Sequence, residues 1–69
     1  MMTEKQKLLL ESIAAKLDGD KDAELIAFIE EEIRIGRGHF AHKIIQEYLS
    51  GGNDAVRLKF KYWMGMQKV

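Results

Sequence analysis

The chain contains no cysteine and no proline. Without thiols there is neither a disulfide framework nor a thiolate cluster for zinc, the usual staples of so small a scaffold. Without proline no helix is forced to stop, and punctuation falls to glycine, asparagine and aspartate. An excess of one charge is also lacking. Eleven basic and eleven acidic residues leave a formal net charge of zero, so whole-molecule electrostatics does not draw the chain to nucleic acid or to an anionic membrane. No apolar run approaches the roughly 18 residues of a membrane span. Met1 to Leu10 lacks the long apolar centre and cleavage site of a signal peptide. The expected location is the cytoplasm, with no membrane partner.

What is present suits one small folded domain of 69 residues, 46% hydrophobic and 32% charged. A domain of that size buries only about 60% of the surface its unfolded chain exposes, so self-association, most simply as a homodimer, is the expected remedy for a marginal core. The charges are unevenly spread. Residues 1–53 carry ten acids and seven bases, whereas residues 54–69 carry one acid and four bases, a basic tail on an acidic body.

Three breaks divide the chain into four segments: Asp18-Gly19-Asp20, Gly36-Arg37-Gly38 and Ser50-Gly51-Gly52-Asn53-Asp54. In the first segment Thr3 and Gln6 are spaced as a capping box, and Leu10, Ile13, Ala14 and Leu17 fall on one helical face. Its end also reads with period two, Ile13, Ala15 and Leu17 alternating with Ser12, Ala14 and Lys16. The second segment opens with acids suited to a helix N-terminus, carries a stripe of Leu25, Ile26, Phe28, Ile29, Ile33 and Ile35, and stops at Gly36. The run Glu30-Glu31-Glu32 reads as its solvated side. The third, from Gly38 to Ser50, places Phe40, Ala41, Ile44, Ile45, Tyr48 and Leu49 together.

Within it, His39 and His42 lie three residues apart, a spacing at which two histidines on one helical side can ligate zinc. No third ligand is signalled, so no metal is expected there, and the pair reads as two helix-surface histidines beside an apolar stripe. No acid-base pair, nucleophile or glycine-rich phosphate loop has usable spacing. No catalytic residue and no cofactor are expected, and the chain reads as a non-enzyme.

In the fourth segment, "VRLKFKYWM", Val56, Leu58, Phe60, Tyr62 and Met64 alternate with Arg57, Lys59 and Lys61 until Trp63 breaks the pattern. The alternation favours a strand. Basic groups interleaved with aromatics permit nucleic-acid contact, while lysines on an edge strand equally serve to prevent aggregation.

The stretches "SIAAKLDGDKDAELIAFIEEEI" and "GRGHFAHKIIQEYL" resemble, in order and hydrophobic spacing over Ser12 to Leu49, the ribbon-helix-helix family of small DNA-binding proteins. The resemblance implies an intertwined homodimer in which two copies of Ser12 to Asp18 pair as an antiparallel ribbon. Ser12, Ala14 and Lys16 would then face the major groove of double-stranded DNA. Amides near Gly38 and His39 would hold a phosphate, with Arg57, Lys59 and Lys61 adding positive charge. The implied activity is that of a transcriptional regulator, a repressor or a plasmid- or phage-type accessory protein.

The fold expected is therefore all-α or mainly α, ribbon-helix-helix-like, with a basic C-terminal strand or short helix. The alternative takes Thr3 to Leu17 as a helix and gives a three- to four-helix unit. Such a unit suits a protein-binding adaptor or inhibitor with one protein partner, contacted through Phe60, Tyr62, Trp63 and Met64.

Overall fold

The computed structural model describes residues 2–36 and 39–67. Three helices follow one another: α1 (Glu4–Ala15), α2 (Ala23–Ile35) and α3 (His39–Gln67).

The capping box forms as spaced. Gln6 N–H donates to Thr3 Oγ1 at 3.1 Å and Thr3 N–H donates to Gln6 Oε1 at 3.0 Å, satisfying amides that the first turn of α1 would otherwise leave orphaned. Leu10 and Ile13 of α1, with Leu17 just beyond it, enter the core. The extended ribbon over Ser12 to Asp18 does not exist: α1 runs unbroken to Ala15, and no strand occurs among the described residues. A ribbon-helix-helix protein requires that strand, so the family resemblance is overturned. Helical burial of Leu10, Ile13 and Leu17, started by a satisfied cap, wins over an alternation whose members include alanine and lysine, weak strand formers.

The turn into α2 is built by two aspartates. Asp18 Oδ1 accepts from the amides of Asp20 (2.8 Å) and Lys21 (2.9 Å), and the Asp18 amide donates to Asp22 Oδ2 at 2.9 Å. α2 buries Leu25, Phe28 and Ile29 and ends at Gly36, whose φ of 74° is the left-handed cap that glycine adopts without penalty. The carbonyl of Gly36 accepts from the Met2 amide at 3.1 Å, tying the beginning of the chain to the end of α2. One member of the acidic run departs from expectation. Glu30 and Glu31 are exposed, but Glu32 is 1% exposed, because it lies on the same stripe as Leu25, Phe28 and Ile29.

α3 is helical on both sides of one aberrant residue, Gly52, with φ 72° and ψ −161°. A straight helix of its 29 residues would be about 44 Å long, whereas the longest extent of the whole molecule is 29 Å. The chain therefore folds back at Gly52, and residues 39–51 and 53–67 form two arms. Phe40 of the first arm and Trp63 of the second have ring centroids 6.4 Å apart.

The expected strand over Val56 to Met64 is likewise replaced by helix. Val56, Phe60 and Trp63 stand at i, i+4 and i+7, and that face turns inward: Val56 is fully buried, Trp63 3% exposed and Phe60 half-buried. Alternation and helical spacing coexist in this stretch, and Trp63, which breaks the alternation, completes the helical face. The three elements enclose one core. At its centre the Phe28 ring meets Phe40 edge-on at 5.3 Å, Phe60 at 5.5 Å and Trp63 stacked at 6.2 Å, so one side chain of α2 holds both arms of α3. Edge-on and stacked pairs of this kind add to the burial of apolar area.

Candidate interaction surface

Inward packing of the second arm decides which of its residues remain available. With Val56, Phe60 and Trp63 directed to the core, Leu58 and Tyr62 are carried to the opposite side, four residues apart on one helical face. They are 67% and 68% exposed. Exposed Lys59 and Lys61 flank them, and Lys59 Nζ lies 5.4 Å from the centroid of the Tyr62 ring, within cation–π range. The four residues line a shallow, mainly apolar surface depression. A neighbouring depression runs between the two arms, where Lys43 and Glu47 face Lys59 and Tyr62.

The residues expected to touch a protein partner divide accordingly. Tyr62 is at the surface. Trp63 belongs to the core, and Phe60 and Met64 are half-buried against it. Leu58, which sequence reasoning passed over, takes their place. Had the segment been read as a helix, its position opposite Val56, Phe60 and Trp63 would have marked it.

The residues expected to touch DNA are scattered. Ser12 is exposed on α1 and Ala14 is half-buried there. Lys16, just past α1, donates from Nζ to the Tyr48 hydroxyl at 3.0 Å and sits 5.5 Å from that ring's centroid. Arg57 is engaged from two directions. Its Nε and Nη2 fork onto both carboxylate oxygens of Asp22 at 2.9–3.1 Å, while Nη1 donates to Asp54 Oδ1 at 2.8 Å. The fork links residues 35 apart in sequence and clasps the start of α2 to the second arm. The guanidinium, and next the Asp18 amide, hold the Asp22 carboxyl below its ordinary pKa. The amides of Lys21 and then Asp20 do the same for Asp18. Each favours the charged form by hydrogen bonds made to it.

Gly38 lies outside the described residues, as does the side chain of His39, whose backbone opens α3. In that first turn the Phe40 amide donates to Glu32 Oε1 at 3.3 Å, so an internal carboxylate meets the amide of Phe40, beside the expected phosphate position. His42 is exposed. Among the described residues no three histidine, cysteine, aspartate or glutamate side chains gather as a metal-ligand set, and no helix is long and apolar enough to cross a membrane.

The fold and this surface together define an all-helical domain that presents an apolar pair rimmed by lysines on the outward side of its last helical arm. No family model, curated protein or solved structure matches the chain.

Proposed function

We propose that the protein is a small, non-catalytic helical interaction module that binds another protein surface through the outward face of the second arm of α3. The observation that carries this reading is the pair Leu58 and Tyr62, two-thirds exposed and four residues apart on one helical face; Leu8, Ile35 and Leu49 are exposed as well, but none of them lines the depression that this pair shares. Exposed aromatic and aliphatic side chains on one helical face, with a polar rim, have the composition of a contact patch. The flanking lysines favour a partner whose apolar stripe is bordered by acids. A DNA-binding reading keeps Lys59, Lys61 and Tyr62 but draws little on Arg57, which spends its donors on Asp22 and Asp54, and nothing on the overall charge.

The test uses a synthetic amphipathic helix with leucines at i, i+3, i+4 and i+7 and glutamates beside them, the pattern by which helices dock on helical surfaces. Adding it to the protein should move the amide resonances of Leu58, Lys61 and Tyr62, and the double variant Leu58→Ser/Tyr62→Ser should weaken binding by at least about tenfold while keeping its helix content. Duplex DNA at low salt should leave those resonances in place. Movement with DNA but not with the peptide, accompanied by a steep salt dependence, would overturn the proposal.

A further inference from the structure

The face just described has a chemical counterpart elsewhere on the same molecule. Between α1 and α2 an open groove of about 460 Å³ is lined by Ala14, Ala15 and Ile33, with Glu11 contributed by α1 and Glu30 by α2. Both glutamates are exposed. The alanines keep the floor low, and the half-buried Ile33 adds apolar surface. One surface is thus an apolar ridge rimmed by lysines, and the other an apolar trough rimmed by glutamates. They share no residue, and the exposure of Leu58 and Tyr62 shows that a chain does not seat its own ridge in its own trough.

We propose that the occupant of the ridge is the trough of a second copy: Leu58 and Tyr62 of one chain enter the groove between α1 and α2 of the next, and Lys59 and Lys61 meet Glu11 and Glu30. The inference rests on the interaction-module reading and names its partner. Association of this kind is head to tail, since different patches meet, and it continues from copy to copy unless the rotation between copies closes a ring. A zero formal net charge leaves no overall repulsion between copies, and the separation of acids from bases along the chain gives the encounter a direction. Because the rims are solvent-exposed, salt weakens the contact.

The experiment is sedimentation equilibrium of the full chain from about 10 μM to about 1 mM, a range that spans weak interfaces, at low salt and again near 1 M, where screening reaches about 3 Å. The weight-average mass should rise with concentration at low salt and fall back at high salt. Two variants then separate the surfaces. Lys59→Glu/Lys61→Glu spoils only the ridge, and Glu11→Lys/Glu30→Lys spoils only the trough, so each alone should remain monomeric.

Mixed in equal amounts, the two variants retain one good ridge and one good trough between them. They should associate again, because the intact ridge fits the intact trough and the reversed ridge, now acidic, also meets the reversed trough, now basic. Leu58→Ser/Tyr62→Ser offers a ridge variant that leaves the charges intact and should also remain monomeric. A wild-type chain that stays monomeric throughout, or a mixture of folded variants that fails to pair, overturns the self-association. If the glutamate-flanked peptide still binds in that case, the module reading stands with a different protein as partner; if the peptide fails as well, both readings fall.

Discussion

Two of the chain's changes of direction are made by opposite means. Between α1 and α2 the reversal is made by side chains: Asp18 gathers two amides, Asp22 receives the Asp18 amide, and Arg57 reaches from the far end of the sequence to hold Asp22. Within α3 it is made by the backbone of one residue, Gly52, whose torsions alone depart from helix. The adjacent Asn53 Oδ1 is buried without a hydrogen-bond partner. A turn built from carboxylates is sensitive to protons. A bend built from one glycine is sensitive to a methyl group, and the core contacts of the arm beyond it, with the Arg57–Asp22 clasp, keep it closed.

The largest effect should come from removing that closing contact. Trp63→Ala deletes the ring stacked on Phe28 and should cost about 3–5 kcal/mol, comparable to the entire stability of so small a domain. Far-UV circular dichroism should find most of the helix lost, and Trp63→Phe should restore much of it. A folded Trp63→Ala protein would show that the bend does not depend on the arm's packing.

Next comes the bend itself. Gly52→Ala should cost about 1–3 kcal/mol because its φ and ψ lie where only glycine rests without strain. Gly36→Ala, with a similar φ of 74° but an ordinary left-handed ψ of 21°, should cost about 1–2 kcal/mol. Urea titration of the two variants measures the difference, and a larger loss at Gly36 would show that the backbone at Gly52 is the less strained of the two glycines.

Smallest is the effect of acid on the carboxylate turn. Both aspartates have folded-state pKa values below the ordinary 3.8, so the stability they contribute is present above that value and is lost as pH falls through the folded values. The part of the melting-temperature decline due to these two carboxylates should therefore lie below about pH 4. Arg57→Gln releases the larger restraint on Asp22 and should make the decline shallower. An unchanged slope would mean that the clasp contributes nothing to the pH response.

The first reversal was more legible than the second. Thr3 with Gln6, the aspartates around Gly19, and Gly36 each act within a few residues of where they stand, so their chemistry shows in local spacing. Gly51-Gly52 announced a break but not its direction, because the folding back depends on Phe28, Phe40 and Trp63 meeting across three helical pieces. Val56 to Met64 satisfied two periodicities at once, and only the core could choose between them. Lys16 and Ser12 looked like members of a reading strand for the same reason. Glu32 was hidden by its acidic neighbours, although its spacing from Phe28 placed it on the inward stripe. On the surface, Tyr62 was legible and Leu58 was not, since a residue's outward direction is known only after its helix has been recognised.

Trp63 is the chain's one tryptophan, and it rests against the ring at which α2 and both arms of α3 converge. The molecule thus carries its own optical gauge at the joint most dependent on long-range packing. Loosening of the terminal arm alone would shift the indole's emission toward longer wavelength even while α1 and α2 stay wound, and the light would register the partial opening before any loss of helix could.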